Sequence, residues 1–167
     1  MLDDILKNMA LYVDGRGYAG NVEELVLPKL TMKMEEYRNG GMDSPIDIEM
    51  GMEKLEAEFT LTRFDRNLLT LFGLAPGQII PLTIRGAVVS DNGATQPVIV
   101  NLHGQIKELD YGTWKPGEKT TLKCMVSVRF YKLTHGAAIV HQIDIPNMIR
   151  IVNGVDQLAQ IRGILGQ

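Results

Sequence analysis

The stretch Leu122-Lys123-Cys124-Met125-Val126-Ser127-Val128-Arg129-Phe130-Tyr131 alternates residue by residue. Leu122, Cys124, Val126, Val128 and Phe130 hold one phase; Lys123, Met125, Ser127, Arg129 and Tyr131 hold the other. A period of two describes a strand with one dry and one wet face, the usual condition of an antiparallel sheet. The same pattern recurs upstream. Val98, Val100, Leu102 and Ile106 alternate with Ile99, Asn101, His103, Gln105 and Lys107, and Leu55, Ala57, Phe59 and Leu61 alternate with Glu56, Glu58, Thr60 and Thr62.

Turn chemistry falls between these runs. Asn92-Gly93 is a strong short hairpin signal and predicts strands near 78–90 and 96–109. Lys115-Pro116-Gly117 predicts a turn before a strand at 119–133, and His135-Gly136 links that strand to one near 137–144. Helical signal is scarce. Asp65 suits an N-cap and Gly73 a C-terminal left-handed position, which predicts a helix over 65–73. A second helix is expected over 155–164, between Gly154 and Gly166. The fold class that follows is mainly β: an antiparallel β-sandwich or partial barrel with two short helices, in one domain spanning 1–167.

Residues 37–52 do not suit a compact monomer. They hold three glycines and one proline without a steady period, so they read as a long loop. Structureless loops beyond about 12–15 residues are uncommon in compact domains. This one nevertheless carries Met42, Ile46, Ile48, Met50 and Met52, unlike the polar composition of disorder. Ordering backbone costs about 1–2 kcal/mol per residue, and burying one such side chain returns roughly 1.5–3 kcal/mol. The balance requires a surface to bury against, either the domain's own core or a neighbouring subunit.

Composition narrows the function. A chain of 167 residues can bury a sizeable core without disulfide staples, and its single cysteine, Cys124, excludes an intrachain disulfide or a multi-thiolate zinc site. The net charge of −3 disfavours stable binding to DNA or RNA. The start, Met1-Leu2-Asp3-Asp4-Ile5, is acidic where a signal peptide is basic, so synthesis in the cytoplasm without a signal peptide is expected.

Candidate chemistry is thin. Gly15-Arg16-Gly17-Tyr18-Ala19-Gly20 matches the dinucleotide fingerprint, which needs a βαβ unit to place a helix N-terminus under the pyrophosphate. The segment Val22 to Leu27 is short and stopped by Pro28, so a glycine-rich hairpin turn is expected instead. His103, His135 and His141 are scattered without metal-ligand spacing and read as surface histidines. Cys124 sits in the dry phase and reads as a buried, inert thiol. Ser44, Ser90 and Ser127 lack a nucleophile-elbow setting. Glu56 and Glu58 share a strand face; a solvated face, or the lining of a channel shared between subunits, fits better than acid–base catalysis. No catalytic, cofactor or metal site is expected, and the chain is read as a non-enzyme.

Three ordered stretches carry a family resemblance: Leu27-Pro28-Lys29-Leu30 with Glu36-Tyr37-Arg38-Asn39-Gly40-Gly41-Met42; Gly51-Met52-Glu53-Lys54-Leu55-Glu56-Ala57; and Ile145-Pro146-Asn147-Met148-Ile149 with Val152-Asn153-Gly154-Val155-Asp156-Gln157-Leu158. With the Asp14-Gly15 turn and Tyr131-Lys132-Leu133, the chain resembles the major tail tube proteins of contractile-tailed phages and R-type tailocins (pyocins). The resemblance implies a β-sandwich protomer whose inner sheet joins a multi-subunit barrel, in hexameric rings stacked into a tube within a contractile sheath. It implies that residues 37–52 form an extended inter-ring loop, with Arg38, Gly40, Gly41, Met42, Ile46, Ile48 and Met50 between subunits. Both helices would lie outside, towards sheath and neighbours. The implied partners are other copies of the chain, a sheath protein, a baseplate hub, a tail terminator, a tape-measure protein and, in a phage, DNA in transit; the implied location is the virion tail or tailocin particle.

On that reading the wet strand faces line a lumen, with Glu56, Glu58, Thr60, Thr62, Asn101, Gln105 and Ser127 as lining residues. A lumen rich in Lys and Arg would grip phosphate by counterion release, a risk that the acidic balance of the chain lowers. Lys107, Lys123 and Arg129 share those faces, and either pair with acidic neighbours or face another subunit. A type VI secretion-like tube protein is the alternative within this class, and a monomeric small-molecule-binding β-barrel the alternative outside it.

Overall fold

The computed structural model describes residues 3–17 and 21–167. In chain order the elements are β1 (Asp4–Val13), β2 (Arg16–Gly17), β3 (Val22–Val26), β4 (Met32–Tyr37), β5 (Ile46–Met52), β6 (Leu55–Leu61), α1 (Arg66–Leu69), β7 (Ile80–Ser90), β8 (Thr95–Asp110), β9 (Leu122–His135), β10 (Ala138–Asp144), β11 (Ile149–Val152), β12 (Val155–Asp156) and α2 (Ala159–Ile164). Ten strands form one antiparallel sheet in the order β12-β11-β10-β9-β8-β7-β1-β2, and β6 joins it on β9 and carries β3. β4 and β5 form a separate two-stranded hairpin.

The long strands behave as their alternation requires, except that β9 changes phase at a bulge. Tyr131, expected on the wet face, is buried in the core, and Phe130, expected on the dry face, is half-buried and stacks on His103. β6 reads buried and half-buried in strict turn, and Leu55, Ala57, Phe59 and Leu61 enter the core. From β8 come Val100, Leu102 and Ile106, and from β9 Leu122, Cys124, Val126 and Val128. β1 adds Leu11 and Val13 from the other side of the same cluster, and Leu68 of α1 is fully buried in it. One sheet therefore bends around one core. Register shifts at Leu6/Asn8, His103/Gly104 and Ile106/Glu108 supply bends, because a bulge adds twist to its strand. Among the described residues the two ends of the sheet do not pair, so the expected partial barrel is an open one.

Turn positions explain the connections. Asp14 and Gly15 both adopt positive φ (50° and 81°), the condition for a two-residue hairpin turn between β1 and β2. Of the glycine-rich turn expected over 15–20, Gly15 is in this turn, Arg16 and Gly17 are strand β2, and residues 18–20 lie outside the described residues. Asn92 Oδ1 accepts from Ser90 Oγ at 2.6 Å and from Ala94 N–H at 3.0 Å, which closes the β7–β8 turn.

Three expectations are corrected. Residues 37–52 are not a structureless loop: Ile46–Met52 is a strand paired with Met32–Tyr37, and only residues 38–45 connect them. The first helix is one turn, Arg66–Leu69, capped as expected by Asp65, whose Oδ1 accepts from Asn67 N–H; the chain continues in turns to Gly73 at φ 78°. The second helix starts at Ala159 rather than 155, because Val155 and Asp156 pair with β11 first.

Candidate subunit interfaces and lumen face

The hairpin projects apolar residues with nothing of its own chain over them. Pairing of Tyr37 with Ile46 and of Glu35 with Ile48 puts these side chains on one face, together with Met50 by alternation. Ile46 is 53% exposed and Met50 55%, and Ile48 and Tyr37 are exposed too. Glu36, Asp47, Glu49 and Met34 take the opposite face. At the tip, Arg38 Nε donates to the Met42 carbonyl at 3.3 Å, Met42 N–H to the Asn39 carbonyl at 3.1 Å, and Gly41 stands at φ 89°. Thus Arg38, Gly40, Gly41 and Met42 form the tip, and Ile46, Ile48 and Met50 one strand face behind it. The base is fastened. Glu53 N–H donates to the Thr31 carbonyl at 2.8 Å, and Arg150 of β11 bonds Glu49 at 2.7 Å.

The residues expected to line a lumen fall largely on one patch, on the side of the sheet away from the core. Glu56 stands opposite Ser127, and Ser127 opposite Gln105, so three of them form a row across β6, β9 and β8. Glu58 lies opposite Met125, and Thr60 opposite Lys123. Asn101 lies farther along β8, opposite Thr83 and Lys132, with Thr83 Oγ1 at 3.4 Å. Thr62 falls past the end of β6, where its N–H donates to the Asn21 carbonyl at 2.8 Å.

Ion pairs set the charge of this face. Glu56 binds Lys107 and also Lys54, the latter at 3.0 Å; Glu58 binds Lys123 at 3.0 Å. The Lys107 hydrogen bond, then that of Lys54, holds the Glu56 carboxyl below its usual range, and Glu56 in return raises Lys107. Glu58 likewise raises Lys123. Lys107 and Lys123 thus pair with acidic neighbours, Glu56 is shared with Lys54, and Arg129 makes no ion pair among the described residues.

Other sequence candidates resolve simply. Cys124 is fully buried, and desolvation pushes its thiol up to about 12, which suits the inert reading. His103 is stacked on Phe130 with centroids 4.8 Å apart, and His135 is exposed. His141 departs from the surface reading: it is half-buried, and its Nδ1 has no partner among the described residues.

Two features escape sequence reasoning. Phe64, Tyr111 and Trp114 cluster on the surface, with ring centroids 5.6 and 5.9 Å from Phe64, although they come from separate connections. Among the described residues β1 pairs with β7 along its length but with β2 only at Tyr12 and Val13, and the edge from Asp4 to Leu11 carries no further partner there, with Ile5 and Leu6 exposed. A β1 pattern of alternating dry residues would have signalled it, but only its last turn of residues enters the core.

Comparison with known proteins agrees with this architecture. Residues 3–166 match the family model described as phage tail tube protein FII. The chain is 36% identical over 165 residues to the tail tube protein of Escherichia phage P2, covering 96% of each chain. It is 29% identical over 146 residues to the major tail tube protein of Serratia phage KSP20, covering 86% of this chain and 84% of that one. Among solved structures, it resembles a chain of an extracellular contractile injection system, the PVC sheath–tube complex in the extended state. The TM-score is 0.58 at 10% identity, over 76% of this chain and 88% of that one. A chain of the anti-feeding prophage baseplate aligns with a TM-score of 0.57 at 9% identity, over 82% of this chain and 99% of that one.

Proposed function

Because the chain belongs to the phage tail tube protein family, we propose that its copies close into six-membered rings that stack into a hollow tube, the conduit of a contractile tail or tailocin. The chain is a structural protein of an injection tube and not an enzyme. The observation that carries the ring-and-stack reading is the hairpin. A two-stranded ribbon alone in water is marginal, and this one exposes Tyr37, Ile46, Ile48 and Met50 together. Such a ribbon is stabilised when another subunit covers that face, so Arg38, Gly40, Gly41, Met42, Ile46, Ile48 and Met50 are assigned to the contact between rings.

Lateral closure uses the open sheet edges. A long edge with exposed Ile5 and Leu6 is an aggregation hazard in a monomer, and closing a barrel across subunits removes it. The face bearing Glu56, Glu58, Thr60, Gln105 and Ser127, with Asn101 and Thr62 at its margins, lines the lumen. Glu56 and Glu58 pair with Lys107 and Lys123, which weakens the pull of these two cations on the phosphates of DNA in transit. A sheath protein surrounds the tube, a baseplate hub and a terminator close its ends, and a tape-measure protein occupies the lumen before ejection. The particle is thus a virion tail or a tailocin.

Deleting Gly40 to Ile48 tests the reading. The variant is expected to lose the hairpin's share of strand signal, to keep the cooperative unfolding of the main sheet and to lose stacking in electron micrographs; normal tubes from that variant would refute the assignment.

A further inference from the structure

The hairpin needs a receptor, and the proposal here rests on the stacking reading above. We infer that the aromatic platform of Phe64, Tyr111 and Trp114 on one copy receives the hairpin of the next copy.

Position is the first argument. β6 starts at Leu55, just after the hairpin ends at Met52, and it ends at Leu61, just before Phe64. Tyr111 and Trp114 follow the end of β8, and β9 begins beyond them at Leu122, paired with Leu61. Hairpin and platform therefore sit at opposite ends of the same strand, roughly 20 Å apart at about 3.3 Å per residue. Two different surfaces at opposite ends make a heterologous contact, which repeats head to tail and propagates as a filament rather than closing as a dimer.

Chemistry is the second. Trp114 is 69% exposed, and Phe64 and Tyr111 are also open, an unusual display of the residues that anchor protein interfaces. The apolar hairpin face offers Ile46, Ile48 and the Met50 thioether, which packs well against aromatic rings. Charge is the third. Residues 32–52 hold two basic and five acidic residues, a net of −3 that equals the charge of the whole chain; the remainder is neutral. Around the platform, Arg63, Arg66 and Lys115 make no ion pair among the described residues. Asp65 is committed to capping α1 and Asp110 accepts from Gly112 N–H, which leaves Glu118 against three cations. An acidic, apolar ribbon and a cationic, aromatic seat are complementary.

Trp114 is the chain's only tryptophan, so its emission reports the seat directly. In wild-type protein, assembly should shift that emission to shorter wavelength and sharply reduce acrylamide quenching. Trp114→Ala should raise the concentration needed for stacking about tenfold or more, as loss of a central aromatic anchor does. Ile48→Asp should block stacking from the hairpin side. Head-to-tail pairing further predicts complementation: neither variant forms long tubes alone, but mixed rings of the two form short, discrete stacks, because the intact hairpin of one meets the intact platform of the other. Trp114 remaining as quenchable in tubes as in free subunits would overturn the proposal and make the platform a seat for a different protein. Wild-type tubes from Trp114→Ala would overturn it while leaving the hairpin reading intact. Wild-type tubes from Ile48→Asp would instead overturn the stacking reading itself.

Discussion

Arg150 of β11 donates from Nη1 to Glu49 Oε1 at 2.7 Å, and the same nitrogen lies 3.5 Å from Met32 Sδ, so one side chain grips both strands of the hairpin. The Arg150 side chain is 11% exposed and Glu49 44%, so the pair is half wet and its own contribution stays below about 1 kcal/mol. Its role is to orient the hairpin against the body of the sheet.

Arg150→Ala should therefore loosen the hairpin without unfolding the core. Amide exchange over residues 32–52 and proteolysis near 38–45 should accelerate, while the melting temperature falls by no more than a few degrees. Equal protection of the hairpin in variant and wild type would show that Arg150 does not hold it.

Gly104 of β8 marks the closest approach of two long strands. A Cβ there would lie 2.2 Å from the Ser127 carbonyl oxygen and 3.0 Å from its carbon, and a backbone carbonyl cannot swing aside as a side-chain tip can. Gly104→Ala should cost about 1–3 kcal/mol, as overpacking does, and should lower the urea midpoint. An unchanged midpoint would mean that the β8–β9 crossing yields freely.

The Glu56 cluster sets a pH window. Its carboxyl is held below the usual 4.5 by the hydrogen bonds from Lys107 and Lys54, so the folded state binds fewer protons there than the unfolded chain. The stabilisation is complete above pH 4.5 and is lost as pH falls through the lowered folded value. Lys107 is raised above 10.5, so its share is complete below that value and is lost as pH rises through the raised one. Glu56→Gln should flatten the fall in urea midpoint on the acid side of pH 4.5 and the loss above pH 10.5. Identical profiles for variant and wild type would contradict the linkage.

Core and hairpin residues should separate stability from assembly. Phe59 is 1% exposed, and Phe59→Ala should cost about 3–5 kcal/mol by leaving a cavity in the sheet's single core. Ile48 is exposed, and Ile48→Ala should change subunit stability by less than about 0.5 kcal/mol while weakening stacking. Chemical denaturation of subunits and light scattering of assemblies measure the two effects apart.

The sequence makes the long strands legible because burial enforces alternation: in β6 and in β9 from Leu122 to Val128, each dry residue enters one core, and the bulge at Arg129 then reverses the phase so that Tyr131 and not Phe130 is buried. β5 also alternates, Ile46-Asp47-Ile48-Glu49-Met50, yet it reads as loop. Its dry face meets nothing in the monomer, and the connection from Arg38 to Pro45 is too long to give a tight-turn signal. The start of α2 is obscured for a different reason. Asp156 serves β12 and also receives Leu158 N–H at 3.0 Å and Arg162 at 2.6 Å, so strand and helix share a residue that local pattern assigns to one of them. The Glu56–Lys107 pair spans 51 residues, and only the β6–β9–β8 register brings its partners together. The aromatic platform is hidden likewise, since sheet order and not spacing joins Phe64 to Trp114.

The most direct test of the tube is cryo-electron microscopy of the purified protein at rising concentration, with baseplate added as a nucleus. The account predicts hollow filaments of uniform diameter, built of six-fold rings, with hairpins bridging successive rings and Glu56, Ser127 and Gln105 facing the channel. Subunits that stay dispersed in the presence of the nucleus, or filaments with that row of residues on their outer surface, would contradict it.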